Sequence, residues 1–375
     1  MKIVVAKEVR EGETRVAMVP ELVGKLTSLG YELVVEPGAG VSALWSDEEY
    51  VEAGATVSED AMVDAALVVS VQPLESRTVR RLGTGTATLS FLPPGQSLDL
   101  VVDMRVCGIT SFSLELVPRI SRSQSMDALS SQALVSGYRC AIVAAGLLRR
   151  FFPLNMTSAG TVRPAEVVVL GAGVAGLQAI ATCHRLGAVV RGYDVRAASA
   201  EEIRSVGAQA IELDLETLEG TGGYAREMTE DRAQRQRELL TPYIANADAL
   251  ITTAAVPGRA APLLVTAQMV EQMKAGSVVV DLAAESGGNV EGSEAGKVVR
   301  VGNAQVWGGA NVAAQMPAPA SRLFAQNIVN LVSLMTHEGA FAPDFDDEIV
   351  SGSCVTRDGQ VWHEPTRILL EGTDE

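Results

Sequence analysis

This chain of 375 residues is poor in the side chains that most often carry chemistry. It has three histidines, His184, His337 and His363, so imidazole acid/base work has few candidates. Its four cysteines, Cys107, Cys140, Cys183 and Cys354, are widely scattered with no CxxC pair. That pattern reads as reduced, buried thiols of a cytosolic protein, and no metal is expected. Aromatic residues make up 4% of the chain, which leaves the core to alanine, valine and leucine, as in an α/β protein. Lysine is scarce, and the formal net charge of −16 argues against nucleic acid and against an anionic lipid surface, since both need a basic patch. Long apolar spans are missing too: VVVLGAGVAGLQAIATCH carries glycines at turn positions and reads as strand, turn and helix. The opening MKIVVAKEV reads as a strand, not as a cleavable leader, so the chain is expected to be soluble by itself.

What is present alternates between strand and helix signals. Strands are expected at 3–9, 32–38, 66–71, 86–92 and 107–113, with a helix over 19–30. A helical pattern from Met126 to Phe152 leads into a second series of strands at 165–171, 188–194, 208–214, 249–255, 277–283 and 297–303. Helices between them fit parallel sheets with crossover connections. After Asn311 comes one more helix, SRLFAQNIVNLVSLM, and then what reads as an irregular acidic tail. The expected fold is α/β: two Rossmann-like domains with parallel sheets, joined by long helices. The first is discontinuous (residues 1–129 plus 311–375) and the second spans 130–310.

The strongest motif lies in VVVLGAGVAGLQAIATCHRLGAVVRGYDVR. Gly171, Gly173 and Gly176 follow an apolar strand and open a helix, and Asp194 ends the next strand, which is the context a dinucleotide fingerprint needs. Gly171 would make the tight turn, Gly173 would let a pyrophosphate approach the backbone, and Gly176 would let helix and strand pack closely. The helix N-terminus supplies free N–H groups and a positive dipole end. Asp194 can accept both adenosine ribose hydroxyls of NAD(H). A 2′-phosphate there would meet a like charge, costing about 4 kcal/mol at 4 Å and an effective dielectric near 20. Arg196 pulls the other way, because an arginine at this point can accept a 2′-phosphate. NAD(H) is the favoured ligand.

A long connection precedes the strand at 249–255, with GTGGYAREM at its centre. Tyr224 is either a lid residue over bound nucleotide or a surface tyrosine packed locally. The acid/base inventory is thin. No histidine falls at a plausible substrate position, and Lys7, at the end of the first strand, is the one lysine candidate. A good dinucleotide site with few proton carriers suits hydride transfer between two nicotinamides, which needs positioning alone.

The motifs together carry a resemblance. EVREGETRVAMVPELVGKLTSLGYELVVEPGAG, RSQSMDALSSQALVSGYRCAI, the fingerprint segment, YDVRAA, GGYAREM, ALITTAAVPGRAAPLL and VVDLAAESGGN cover nearly the whole chain. Over that span it resembles the first alpha component, the NAD(H)-binding domain I, of the proton-translocating NAD(P) transhydrogenases. The related alanine dehydrogenases carry a catalytic lysine and a catalytic histidine in segments that match VVSVQPLE and SFLPPGQ here, so Gln72 and Pro93 stand where those groups would be.

The resemblance implies that Arg119, Gln124, Asp127 and Ser130, with Ser125 and Met126 between them, hold the nicotinamide and its ribose. Of these, Gln124 would bridge toward the NADP(H)-binding partner. An arginine, an amide and a carboxylate suit a carboxamide, which offers one acceptor and two donors. Alternatively, Asp127 caps the helix DALSSQALVSG and the serines face solvent; the two readings are compatible. Val174, Ala175, Asp194, Val195, Arg196, Gly223, Tyr224, Gln236 and Ala255 match positions where the family contacts the rest of the dinucleotide. Also implied are NADP(H) on a partner subunit, a separate membrane-spanning proton-channel subunit, and a homodimer. The chain, ending at Glu375, would then be the split form: cytoplasmic, and peripheral on the inner face of the cell membrane through its partners. Two rivals remain open, an alanine-dehydrogenase-like amino-acid oxidoreductase and a non-enzymatic NAD-sensing module.

Overall fold

The computed structural model describes residues 1–215, 229–255 and 258–372. The chain divides into two compact units, Met1–Gln132 with Ala314–Glu375, and Ala133–Ala313.

The first unit is built on an eight-stranded sheet. Its order is Gln360–Val361, Cys354–Arg357, Thr110–Ser113, Ala87–Ser90, Leu67–Val69, Lys2–Val5, Glu32–Val35 and Thr56–Val57. The strands from Thr110–Ser113 onward pair in parallel. Short apolar runs such as IVV and LVV become strands because both faces are covered. Ile3, Val5, Leu33, Val35, Leu67 and Val69 face one layer, with Leu22, Val23 and Leu26 of the helix Pro20–Thr27 and Phe324, Ile328 and Leu331 of the helix Pro317–Leu334. Val4, Val34 and Val68 face the other layer, against Val101 and Met104 of the helix Leu98–Val106.

The segment read as an irregular tail is ordered. Glu348–Ser353 is a helix, and Cys354–Arg357 joins the sheet antiparallel to Thr110–Ser113. A hairpin partner, Gln360–Val361, and the helix Glu364–Glu371 follow. The sequence signal is weak because four residues show too little alternation, whereas Cys354 and Val355 gain full burial only once the sheet is assembled.

The second unit carries a seven-stranded sheet with the order Gln209–Ala210, Val189–Tyr193, Glu166–Leu170, Ala249–Thr252, Val278–Asp281, Ala304–Gly308 and Val298–Val301. Pairing is parallel as far as Ala304–Gly308. The last expected strand needs correction. Val298–Val301 is an antiparallel edge strand, and Ala304–Gly308 takes the parallel place beside Val278–Asp281. The reason is the two-residue turn Gly302-Asn303 between Val301 and Ala304, with Gly302 at φ +54°. Such a turn folds the run into a hairpin.

The expected helix from Met126 to Phe152 spans Ala128–Leu147. No helix of the described residues is long and apolar enough to cross a membrane.

Candidate functional site

The fingerprint glycines lie where the second sheet changes direction, between Glu166–Leu170 and Ala249–Thr252. In an open α/β sheet this switch point, at the carboxyl ends of the strands, is where a ligand crevice forms. Gly171 turns the chain at φ +96°, a left-handed conformation that favours glycine. A Cβ on Gly176 would stand 1.8 Å from the Gly171 carbonyl oxygen, so only glycine allows this approach of helix to strand. Around Gly173 the space is open: a Cβ there meets nothing within 4 Å. The helix Val174–Arg185 starts at Gly173 with no side-chain cap, which leaves its first-turn N–H groups to an anionic ligand. Val174 is exposed at this helix start, while Ala175 is buried. These features fit a pyrophosphate.

Asp194 follows the strand Val189–Tyr193. One of its oxygens accepts the Ala172 N–H at 2.7 Å and an Arg196 Nη2–H at 3.1 Å; the other accepts the Arg196 Nε–H at 2.9 Å and the Arg196 backbone N–H at 3.0 Å. Arg196 also donates to the Ala172 carbonyl at 3.2 Å. The arginine that complicated the choice of dinucleotide is therefore ion-paired to the carboxylate that favours NAD(H). Val195 is half-buried against the core on its side of the sheet. Gln236 is buried, and its Oε1 accepts the Tyr193 hydroxyl at 3.1 Å. Ala255 is exposed just past Ala249–Thr252. Gly223 and Tyr224 lie outside the described residues.

Several groups that hold this site had no signal of their own in the sequence. Thr253 donates to the Gly171 carbonyl at 3.1 Å, tying the glycine turn to the neighbouring strand end. Asn289, fully buried, accepts the Ala254 N–H and donates to the carbonyls of Ala254 and Pro262 at 2.7 and 2.9 Å. Its own backbone N–H binds buried Asp281, which also accepts the Thr252 hydroxyl. Gly137 of the helix Ala128–Leu147 abuts the first turn after Gly173, where a Cβ would lie 2.1 Å from the Ala175 carbonyl oxygen. A glycine inside an apolar helix (VSGYRC) was the available hint.

In the first unit the polar stretch forms a 3₁₀ turn, Ser121–Met126, directly ahead of the helix Ala128–Leu147. Ser123 and Met126 point into the unit, whereas Gln124 and Ser125 are exposed. Asp127 caps the helix: its carboxylate accepts the Ser130 N–H at 2.8 Å and the Ser130 hydroxyl at 2.6 Å. Arg119 is exposed just before this turn.

A cleft of about 900 Å³ opens at the carboxyl ends of Lys2–Val5, Leu67–Val69 and Ala87–Ser90. Lys7, Glu8, Arg10, Ser70, Gln72 and Ser97 are among its lining residues, and Pro93 lines a smaller adjoining pocket with Glu115. Gln72 is held between charged neighbours, accepting from Arg10 at 2.8 Å and donating to Glu13 at 2.8 Å. Glu13 is buried, which by itself would raise its pKa. The paired and hydrogen-bonded Arg15 guanidinium outweighs that and holds the carboxyl at about 2. Glu8 behaves oppositely. Burial pushes it up to about 7 although it accepts the N–H groups of Val71 and Gln72. Glu115 is likewise pushed up to about 7 by burial, and one of its oxygens has no hydrogen-bond partner among the described residues. The acid/base inventory is thus richer than a count of histidines and lysines suggests, because two carboxyls reach the neutral range only through burial. Lys7 is exposed. His184 and His337 are exposed, and His363, with Nδ1 at 2.8 Å from the Thr366 hydroxyl, starts the helix Glu364–Glu371.

This fold, with a glycine turn at the switch point and a carboxylate at the next strand end, defines a dinucleotide-binding oxidoreductase of Rossmann type. Comparison with known proteins places it further. Residues 4–136 match the model of the alanine dehydrogenase/PNT N-terminal domain and residues 140–364 that of the C-terminal domain. The chain belongs to the alanine dehydrogenase/PNT family, among its NAD(P) transhydrogenase alpha subunits. It is 44% identical to the first portion of the divided NAD(P) transhydrogenase subunit alpha of Rhodospirillum rubrum, covering 97% of this chain and 98% of that one. The crystal structure of transhydrogenase from Sinorhizobium meliloti superposes with a TM-score of 0.86 at 41% identity, over 97% of this chain and all of the other. An L-alanine dehydrogenase shares the fold, with a TM-score of 0.82 at 24% identity, over 99% of each chain.

Proposed function

We propose that this chain is the NAD(H)-binding subunit of a proton-translocating transhydrogenase. It would present its nicotinamide to NADP(H) bound on a partner subunit, and hydride would pass directly between the two C4 atoms. The observation that carries this reading is Gln72. Its amide is held between Arg10 and Glu13, and the resemblance implies that it stands where the related dehydrogenases carry a lysine, and Pro93 where they carry a histidine. Neither can exchange a proton with an alcohol or amine. Glu8 can titrate near neutrality, but both of its oxygens are engaged by backbone N–H groups. What this chain's residues supply is binding and orientation. The open turn at Gly173 and the helix start behind it would take the pyrophosphate, and Asp194 would take the adenosine ribose, with Val174, Ala175, Val195, Arg196 and Ala255 around them. Arg119, Gln124, Asp127 and Ser130 would hold the nicotinamide end, with Ser125 and Met126 in the same turn. Gly223 and Tyr224, which lie outside the described residues, would contact the dinucleotide, and Gln236 would support the site through Tyr193. As a subunit the chain would work in a homodimer, docked through its partners on the cytoplasmic face of the membrane, and the partners would couple hydride transfer to proton passage.

The test is hydride transfer from NADPH on the cognate NADP(H)-binding subunit to a spectrally distinct NAD analogue. Transfer is expected only when this chain is present. Analogue binding without transfer would overturn the reading.

A further inference from the structure

The turn Ser121–Met126 is anchored locally at Ser123, whose buried hydroxyl donates to the carbonyls of Pro118 and Ile120, and at Met126, which packs in the core, but its exposed part, Gln124 and Ser125, has no such local hold among the described residues. Internally it is a 3₁₀ turn, a conformation with poor hydrogen-bond geometry, and the backbone bond that closes it onto Asp127, from the Asp127 N–H to the Gln124 carbonyl, is 3.4 Å long. The anchors of that exposed part come from roughly two hundred residues downstream. Asn327 and Asn330, one helical turn apart on Pro317–Leu334, both donate their side-chain Nδ2–H to a single acceptor, the Ser125 carbonyl, at 2.9 and 2.8 Å. Both lone pairs of that carbonyl are thereby used, which sets the plane of the peptide that follows Ser125. The orientation of each amide is itself determined. The Asn327 Oδ1 accepts the Ser131 hydroxyl at 2.7 Å and the Asn330 Oδ1 accepts from the Gln326 amide at 2.8 Å, so in each case the NH₂ end must face Ser125. A second tether acts at the start of the turn, where Arg122 donates to both oxygens of Asp347 at 2.9 and 3.2 Å.

Ser125 lies between Gln124 and Asp127, the two side chains assigned above to the nicotinamide. We infer that Asn327 and Asn330 are positioning residues for hydride transfer: by clamping the Ser125 carbonyl they set the geometry in which Gln124 and Asp127 meet the nicotinamide. This inference rests on the transhydrogenase reading. A reaction that depends on positioning alone is the kind most sensitive to a clamp, since a displacement of about 1 Å can cost about a hundredfold in rate.

The experiment uses the full chain with its NADP(H)-binding partner and compares Asn330→Asp, Asn330→Ala and Asn327→Ala with the unaltered protein. Asn330→Asp keeps the shape but turns a donor into an acceptor facing a carbonyl, and Asn330 is only half-buried, so folding should survive. Three quantities are read: the single-turnover rate of hydride transfer, the equilibrium Kd for NADH, and the unfolding midpoint. Expected for Asn330→Asp is a transfer rate about 10- to 100-fold slower, with Kd changed less than about threefold, because most dinucleotide contacts would lie in the other unit. An unchanged transfer rate, or a slowing matched by an equal loss of folded protein in all three variants, overturns the clamp. If the unaltered chain binds NADH but transfers no hydride, the transhydrogenase reading itself has failed and the inference falls with it.

Discussion

At the scale of single residues, two carboxylates decide most. Asp194 accepts hydrogen bonds from Ala172 and Arg196, so its replacement has two effects at once. Asp194→Ala removes the acceptor for the ribose hydroxyls and releases Arg196 from its partner. NADH is expected to bind about 10- to 100-fold more weakly, a loss of about 1.4–2.8 kcal/mol. NADPH should lose far less, because the like charge facing its 2′-phosphate has gone. Fluorescence titration of both nucleotides measures the ratio, and an unchanged NADH/NADPH preference would refute the role given to Asp194. Glu115 makes a different prediction. Its pKa rises from 4.5 to about 7 on folding, through burial. The folded chain therefore binds this proton more tightly than the unfolded chain. The associated stability is present below about pH 4.5 and is lost as pH rises through 7, up to about 3 kcal/mol. Glu115→Gln should stabilise the chain by about 1–3 kcal/mol at pH 8 and leave it nearly unchanged at pH 4.5. Urea unfolding at the two pH values reads this directly, and a pH-independent effect would show that Glu115 is ionised when buried.

At the scale of elements, the glycine turn depends on what packs behind it. The helix Ala128–Leu147 reaches the first turn of Val174–Arg185 through Gly137, where no side chain fits. Helix propensity alone would favour Gly137→Ala by about 1 kcal/mol. The contact opposes it: a Cβ at 2.1 Å from a backbone oxygen cannot be relieved by a rotamer change, and overpacking of this kind costs about 1–3 kcal/mol or more. The expected outcome is a lower urea midpoint together with weaker NADH binding, since the displaced turn carries the helix start. A variant as stable as the parent would mean the two helices can separate without cost. The same scale explains where the strand expectations went astray. Val298–Val301 and Ala304–Gly308 are one hairpin because Gly302 and Asn303 turn the chain, while the segment KVVRVGN suggested a single parallel strand ending at Asn303. Cys354–Arg357 became a strand because the sheet edge at Thr110–Ser113 was open to it, a fact about a segment some 240 residues earlier.

At the scale of the whole molecule, family membership leaves a choice between relatives with different chemistry, and the cleft of the first unit addresses it. If Gln72 and Pro93 stand in the places of a lysine and a histidine, as the resemblance implies, L-alanine should give no NAD reduction with this chain alone. NADH at a hundred times its Kd should still stabilise the chain by about 2.7 kcal/mol. Assaying turnover and unfolding in the same preparation separates a chain that does not bind from one that binds without reacting. Alanine turnover would return the amino-acid oxidoreductase reading and assign a proton-transfer role to Glu8 or Lys7, both of which line the cleft.

The sequence alone determined what depends on neighbours along the chain: the α/β class, the order of most strands, and a glycine turn between strand and helix with a carboxylate at the next strand end. Each rests on spacing over a few residues, where backbone sterics and periodicity act directly. Tertiary structure alone decided what depends on burial and on partners far away in the chain. Glu8 and Glu115 titrate near neutrality because they are taken out of water, which no local pattern records. Thr253 and Asn289 hold the glycine turn and its neighbouring loop, and Asn327 and Asn330 fix a carbonyl two hundred residues upstream. These are hydrogen bonds whose partners meet only after the sheets have formed.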